Sequence, residues 1–533
     1  MFKKEFTQPQ IILFSVLFLV LFDNFAFFSR SYNEFHSIPF VIGLGVVLTS
    51  LLILVFNLIL NRWIIKPFLI LIFILSSLAA YFMQNYGTIF DDKMIQNIFE
   101  TDTKEAFALI NVTEILYLIF LGIVPSIILY FVKIKKQPLK NEIISRIKYI
   151  LGSLVVIVAT FFIFSKSFIS FFREHKSLRQ YTNPAVYIYN LVKYVNETYI
   201  RKPLPFKQIG LDAKIEPTTK KQKLFIFVLG EAGRYDHFAL NGYKRDTTPN
   251  LLNIKELIDY PDIHSCGTET AVSVPCMFSP YDRSDYSDRK AKSTESVIDV
   301  LAHAGVNLLW RDNDSGSKKV ASRIKNYEDY NHANNSKFCN KGGCYDDILL
   351  QGLQKWVDEI NNSKPIFIVL HTKGSHGPKY FERYPKLFEK FKPICKTNQL
   401  QDCTKEEIRN AYDNTIIYTD HFLSEVINFL KHNEKKYAVG MFYIADHGES
   451  LGENGIYLHG LPYVIAPDVQ KHPAALAWFG KDFDINQTCA RKMANKPYTQ
   501  DYIFSTILGI MGVKTKVYNP EEDMYKKCYI REK

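Results

Sequence analysis

A threonine held between two cysteines is the first place in this chain where chemistry suggests itself. Residues 266–276 read CGTETAVSVPC, which puts Thr270 mid-loop among small side chains. A disulfide across Cys266 and Cys276 would pin that loop at both ends and hold one hydroxyl in place. A threonine hydroxyl stays protonated at neutral pH, so a base or a metal must activate it before it can attack. Partners lie at a distance: Glu231 after one apolar run, Asp446 and His447 after another, and His459 further on. Two carboxylates, an imidazole and a threonine oxygen make a zinc or manganese site. Glu231, Asp446 and His447 are then the protein ligands, and the open position falls to Thr270. Each feature alone has a plainer reading, since cystine loops are common in exported proteins and an Asp-His-Gly sequence after a strand is usually only a turn. It is their conjunction that points to a metal-activated nucleophile.

The elements that must position these residues follow from the pattern after Lys223. Short apolar runs at 224–229, 306–310, 366–371, 438–444 and 474–479 read as buried strands. Helical stretches at 293–304, 345–361 and 405–432 fall between them. Such alternation predicts an α/β/α sandwich on a mainly parallel sheet, whose active site gathers at the carboxyl ends of the strands. Glu231, His371, Asp446 and His447 all follow strands in this reading.

The first part of the chain has another character. Of 533 residues, the first 170 are crowded with Phe, Leu and Ile, and all eight cysteines lie from Cys266 onward. Five apolar runs, near 10–28, 39–60, 66–83, 112–132 and 148–170, are long enough to cross a bilayer, which takes about 20 residues of helix. The first lacks a small-residue cleavage site and precedes four more, so it reads as a span rather than a removable signal. The net charge of +11 does not mark a nucleic-acid binder, because much of the excess sits in short loops between apolar runs. Lys3 and Lys4 precede the first run, and Arg62 and Lys66 separate the second from the third. Lys133, Lys135, Lys136, Lys140, Arg146 and Lys148 separate the fourth from the fifth, whereas Asp91, Asp92, Glu100, Asp102 and Glu105 follow the third. The basic loops place the N-terminus in the cytoplasm and everything after residue 170 on the far side. The cysteines agree, since an even number in that part suits an oxidising compartment. Asp23 and Asn24 interrupt the first run, as a functional polar pair or as an interhelical hydrogen bond. Asn183-Pro184 signals the start of an amphipathic helix at 185–199, lying in the membrane interface or packed on the soluble domain. Pro203, Pro205 and Pro217 make a stiff linker after it. The expected division is 1–170 transmembrane, 171–220 interfacial helix and linker, and 221–533 catalytic.

Gly230-Glu231, GYKRDTTPNL (242–251), CGTETAVSVPCMFS (266–279), WRDN (310–313), SHGP (375–378), ADHGESLGENG (445–455) and YLHG (457–460) occur in this order. Together with the five spans, Asn24 followed by Phe27-Phe28, and Asn183-Pro184, they resemble the phosphoethanolamine transferases of Gram-negative bacteria, the family that includes the mobile colistin-resistance enzymes. The resemblance covers nearly the whole chain. It implies an N-terminal five-helix transmembrane domain and a soluble domain of the alkaline-phosphatase and sulfatase type. It also implies Thr270 as nucleophile, and Glu231, Asp446 and His447 as its zinc ligands. His376 and His459 resemble second-site histidines that handle substrate phosphate or a further zinc, and either is suited to protonate the leaving group. Lys318 falls at a phosphate-contacting position, and His371 is grouped with these substrate contacts. Where the family often has an Asn, this chain has Asp314, so either Asn313 substitutes or Asp314 is turned away.

The implied reaction moves phosphoethanolamine from phosphatidylethanolamine, through an ester on Thr270, to lipid A or another lipopolysaccharide acceptor, at the bacterial inner membrane. The disulfides expected are the local pairs Cys266–Cys276, Cys339–Cys344 and Cys395–Cys403, and by elimination Cys489–Cys528. Rival readings are a phosphoglycerol transferase, a hydrolytic phosphodiesterase or sulfatase, and a non-catalytic membrane receptor. The Thr270 loop argues against a sulfatase, which needs a Cys or Ser modified to formylglycine.

Overall fold

The computed structural model describes residues 5–101, 109–173, 175–202, 204–331, 333, 335, 337–340 and 342–530. Lys3, Lys4, Asp102, Glu105 and Pro203 lie outside them. The chain divides into two compact units, Met1–Ile98 with Ile110–Asn196, and Phe99–Leu109 with Glu197–Lys533.

The first unit is helical. Among the described residues, four helices are long and apolar enough to cross a membrane: α3 (Ile38–Ile59), α4 (Ile65–Asn85), α5 (Val112–Phe131) and α6 (Leu139–Ile163). The run expected at 10–28 is not one straight span. It is a pair, α1 (Gln8–Phe22) and α2 (Phe25–Phe35), bent by 58°. The cause is the pair Asp23-Asn24. Asn24 Nδ2 donates to the Leu19 and Asn183 carbonyls at 3.0 and 2.7 Å, and its Oδ1 accepts from Asn183 N–H at 2.9 Å. Asn183 Nδ2 in turn donates to the carbonyls of Asp23 and Ser76. Side-chain amides thus take over the backbone groups freed by the break, as a helix interrupted at membrane depth requires. The fifth span starts at Leu139, earlier than the apolar run at 148–170. Arg146 explains the extension: its guanidinium donates to the Asn57 and Leu60 carbonyls and to Gln8, closing the C-terminal end of α3. The same helix ends at Ile163, and Ser165–Arg173 forms a separate one. Helix α7 (Ala185–Val195) starts directly after Asn183-Pro184 and passes into a π-helical turn, Asn196–Ile200.

The second unit is built on a seven-stranded sheet. In chain order its strands are β1 (Gln222–Gly230), β2 (Ile258–Asp259), β4 (Asn307–Asp312), β5 (Tyr327–Asp329), β6 (Ile366–His371), β7 (Tyr437–Ala445) and β8 (Ala475–Phe479), with β3 (Ile263–His264) outside it. The spatial order is β2-β8-β7-β1-β6-β4-β5. The pairs from β7 to β5 run parallel, whereas β8 is antiparallel to both β7 and β2. Because side chains alternate across a strand, β1 feeds both cores. Phe225, Phe227 and Leu229 enter one, and Leu224, Ile226 and Val228 the other. The first core packs under α9 (Val297–His303), and the second under the long α10 (Lys405–Asn433). Helix α10 is started by Thr404 and Glu407 in a reciprocal capping box.

Two expected helices are shorter than the sequence suggests. The stretch 293–304 is broken because Ser296 caps a fresh start with Asp299. The stretch 345–361 is split at Gly352, whose φ of +69° turns the chain into Leu353–Asp358. The four expected disulfides are all formed, and no cysteine is left free.

Candidate active site

Glu231 follows β1, and Asp446 and His447 follow the neighbouring β7, so register alone brings them together: Ala445 pairs with Gly230. The turn after β7 is tight. A Cβ on Gly448 would stand 2.0 Å from the Val469 carbonyl oxygen, so only glycine lets the chain close there. Thr270 is not mid-loop, as the small residues around it suggest, but the first residue of α8 (Thr270–Met277), with Glu269 at the N-cap. The cystine Cys266–Cys276 links the approach to that helix with its last turn.

Four side chains converge. Thr270 Oγ1 donates to Glu231 Oε2 at 3.0 Å. His447 Nε2 lies 3.6 Å from Glu231 Oε1 and 3.3 Å from Asp446 Oδ2. His447 Nδ1–H donates to the Gly448 carbonyl at 2.8 Å, so Nε2 presents a lone pair. Asp446 Oδ1 accepts from the backbone N–H groups of Ala232 and His447, which leaves Oδ2 to the site. Glu231 Oε1, Asp446 Oδ2 and His447 Nε2 are buried and have no hydrogen-bond partner. Three buried acceptor atoms facing one another are unfavourable, and a proton held on Glu231 or a bound cation relieves that repulsion. Ligands at zinc distances of about 2.0–2.2 Å in a tetrahedron stand about 3.3–3.6 Å apart, as His447 Nε2 does from both carboxylates. Glu231, Asp446 and His447 are therefore a donor set that fits a zinc-class ion. Burial, followed by the charges of Asp446 and Asp314, pushes the Glu231 carboxyl well above the usual range. Burial lowers His447.

The remaining predicted residues surround this group. The loop after β6 is laid on Glu231: Ser375 N–H donates to its carbonyl at 3.0 Å, and Gly374, with φ +49°, has room only for hydrogen there. This places His376 with its ring 5.7 Å from that of His459. Glu231, His376 and His459 form a second set of donor atoms within 4.8 Å of one another. His459 Nδ1 meets Glu449 Oε2 at 2.7 Å. Burial opposes its protonation, but Glu449 outweighs that and raises it to about 9. Burial holds His376 well below the usual imidazole range. His371, fully buried, is oriented by Asp312, with Nδ1 2.8 Å from Oδ2, and its Nε2 lies 3.8 Å from Asp314 Oδ2.

Asn313 and Asp314 point to different places. The Asn313 amide donates to the Cys344 carbonyl and to Asp346, so it is committed within the protein. Asp314 is buried with Oδ1 3.7 Å from Lys373 Nζ. Burial opposes its ionisation, but Lys373, His371 and His376 hold it as a carboxylate well below its usual range. Lys318 takes a left-handed backbone conformation, φ +48°, and its Nζ donates to the Ser315 carbonyl.

Sequence reasoning missed the residues that hold the site together. Gln500, fully buried, accepts from Cys266 N–H at 2.7 Å and donates to the Ala445 and Asp446 carbonyls at 3.1 and 2.8 Å. Gln470 ties Ser450 to Leu458 and Leu461. Tyr380 donates to Glu449 Oε1 at 2.7 Å. Only Glu449 carried a signal, inside the run 445–455.

This architecture has relatives. The family of phosphoethanolamine transferases EptA/EptB matches residues 48–199, and the sulfatase family matches residues 223–513. Phosphoethanolamine transferase EptA of Escherichia coli K12 is 37% identical over 547 residues, covering 99% of each chain. Phosphatidylethanolamine transferase Mcr-1 of Escherichia coli is 39% identical over 521 residues, covering 95% of each. The solved structure of the integral membrane lipooligosaccharide phosphoethanolamine transferase A from Neisseria meningitidis superposes with a TM-score of 0.95 at 33% identity, over 99% of this chain and 100% of that one. A bent-helix membrane unit, a sulfatase-type sheet and a buried threonine–carboxylate–imidazole cluster thus occur together, and the chain is a membrane enzyme belonging to the phosphoethanolamine transferase family.

Proposed function

We propose that this enzyme moves phosphoethanolamine from phosphatidylethanolamine to a phosphate of lipid A or a related lipopolysaccharide acceptor, with Thr270 as the nucleophile. The observation that carries the site assignment is the cluster of three buried, unpartnered donor atoms on Glu231, Asp446 and His447, with the Thr270 hydroxyl donating to Glu231. The acceptor class is supported by relatives such as the Kdo(2)-lipid A phosphoethanolamine 7''-transferase of Escherichia coli K12, 27% identical over 556 residues.

Glu231, Asp446, His447 and Thr270 would hold one zinc ion, and Glu231, His376 and His459 offer donors for a second. When bound, zinc lowers the pKa of a coordinated hydroxyl and offsets charge on phosphoryl oxygens. In the first step Thr270 Oγ1 bonds to the donor phosphorus and the bond from phosphorus to the glycerol oxygen breaks. The hydroxyl proton has a 3.0 Å path to Glu231 Oε2. His459, oriented by Glu449, supplies a proton to the departing diacylglycerol oxygen. His376, Lys318 and His371 contact the phosphoryl group. Thr270 is the first residue of α8, and the positive end of the helix dipole favours an anion there. In the second step an acceptor phosphate oxygen attacks the same phosphorus, the Thr270–phosphorus bond breaks, and the hydroxyl regains its proton.

The enzyme would sit in the inner membrane with a cytoplasmic N-terminus and a periplasmic catalytic domain. Support comes from Arg62, Lys66 and the basic residues 133–148 on one side, and from four disulfides in the soluble unit on the other.

Incubation with phosphatidylethanolamine in the absence of acceptor should leave a phosphoethanolamine adduct on the 266–276 peptide, detected by mass spectrometry. Thr270→Ala should lose both adduct and transfer. Normal turnover in that variant would falsify the assignment of the nucleophile. Glu231→Ala and His447→Ala should lose zinc and activity in step, and a chelator should do the same to the wild type.

A further inference from the structure

Two residues before Cys266 the chain carries a histidine that the reaction does not use. His264, the last residue of β3, faces a turn at 468–472 that returns to β8. His264 Nε2 stands 3.2 Å from Asp468 Oδ1, and His472 Nδ1 stands 3.5 Å from Asp468 Oδ2. The two imidazoles stack with centroids 4.8 Å apart. One donor atom from each of the three residues falls within 4.8 Å of the others.

The outer nitrogens are arranged as those of metal-ligating histidines are. His472 Nε2–H donates to the Pro261 carbonyl at 3.0 Å, which leaves Nδ1 with its lone pair aimed at the Asp468 carboxylate. A nitrogen facing a carboxylate at that distance is satisfied by a proton or by a metal cation between them. His264 Nδ1 lies 3.4 Å from Asp262 Oδ1, so a carboxylate stands behind the imidazole whose Nε2 faces the cluster. A backbone carbonyl behind one ring and a carboxylate behind the other are the outer partners that fix tautomer and raise ligand basicity. Without an ion His264 Nε2–H donates to Asp468 Oδ1 at 3.2 Å, a spacing also compatible with the edge of a zinc tetrahedron, about 3.3 Å. Asp468 is exposed, which leaves room for water as a fourth ligand.

We propose that His264, Asp468 and His472 form a second, structural metal site that takes one divalent transition ion of the zinc or copper class. Two imidazoles and one carboxylate suit those ions, whereas magnesium and calcium prefer all-oxygen sets. The site shares no residue with the Thr270 centre. An ion there links β3, which leads into Cys266 and α8, to the turn that carries Gln470. The same segments already touch through Ser265 N–H to the Lys471 carbonyl at 2.8 Å. Its effect is on stability and on the anchoring of the Thr270 segment, not on the chemical step.

The test uses untagged full-length protein in detergent, equilibrated with buffered zinc, freed of unbound metal and analysed for zinc per chain. Wild type should hold one equivalent more than His264→Ala and than Asp468→Asn. Glu231→Ala/His447→Ala removes two ligands of the Thr270 centre, one of them shared with the His376–His459 set. In that background zinc should still raise the melting temperature, and adding His264→Ala should abolish both the bound zinc and the rise. Asp468→Asn changes one exposed oxygen and keeps the test valid should His264→Ala fold poorly. Equal zinc content and an equal zinc-induced rise with and without these substitutions would overturn the proposal, the cluster then being a set of hydrogen-bonded His–Asp pairs.

Discussion

Gln500 shows how a side chain with no chemistry of its own decides where the reactive ones stand. Its amide joins the backbone leading to Thr270 with the carbonyls of Ala445 and Asp446, and it is fully buried. Gln500→Leu leaves one N–H and two carbonyls without partners, at about 1–3 kcal/mol per unsatisfied group. We expect a loss of stability of at least about 2 kcal/mol in denaturant unfolding. Turnover should fall at least about tenfold with KM changed far less, because misplacing the nucleophile costs the transition state. Wild-type stability together with wild-type turnover would show that the bridge is dispensable. That Glu231, Asp446 and His447 lie together, with Thr270 against Glu231, was legible in the sequence because the first three follow apolar strands and a threonine hydroxyl needs a base or metal beside it. Gln500 was not, since its role comes from burial and from backbone partners far along the chain. Lys373 was missed for a similar reason. It faces Asp314, the carboxylate that otherwise adds a negative charge beside Glu231. Lys373→Met should lower kcat/KM, and Asp314→Asn added to it should restore part of the loss. Additive losses in that double-mutant cycle would refute the pairing.

At the scale of elements, the short buried strands were readable from apolar runs, and 366–371 matches Ile366–His371 to the residue. Where the reading slipped, a local hydrogen bond outweighed the apolar pattern. Thr270 looked like loop because its neighbours are small, yet those residues form a helix held by the Cys266–Cys276 cystine. Replacing both cysteines by serine removes a short cross-link worth about 2–3 kcal/mol. The Thr270 adduct should then form more slowly even at temperatures where the protein stays folded, as rapid-quench mass spectrometry can measure. The bend between α1 and α2 escaped the reading of 10–28 as one span, because hydropathy does not register a side-chain amide taking a backbone's place. The Asn24 side chain satisfies the Asn183 backbone, and the Asn183 side chain the Asp23 carbonyl, across that bend. Asn24→Leu strands the Asn183 N–H and carbonyl in an apolar setting, and should lower the melting temperature in detergent by the equivalent of about 1–3 kcal/mol. A melting temperature equal to that of wild type would mean that the bend does not depend on this pair.

For the whole molecule, the consequence of the proposed reaction lies in surface charge. A phosphate monoester carries about −1.5 to −2 charges near neutral pH. Joining phosphoethanolamine to it through a P–O–P linkage removes its second ionisation and adds one phosphoryl charge offset by a fixed ammonium group. Each modified acceptor therefore falls from about −1.5 to −2 to about −1 in net charge, and gains a cationic group at its outer end. Cationic peptides such as polymyxins approach the outer surface by an attraction of this kind, which salt screens over about 8–10 Å. Expression of the chain in a susceptible Gram-negative host should lower polymyxin binding, raise the inhibitory concentration and add phosphoethanolamine to lipid A by mass spectrometry. Thr270→Ala should do none of these at equal protein level. The same cells report orientation: a periplasm-only reporter fused after Lys220 should be active, and one fused at Lys140 silent. Lipid A without added phosphoethanolamine and unchanged susceptibility, in cells where Thr270 still carries the adduct, would move the acceptor from lipid A phosphate to a core sugar or a protein. The two-step chemistry at Thr270 would stand in that case, since the adduct forms before any acceptor is engaged.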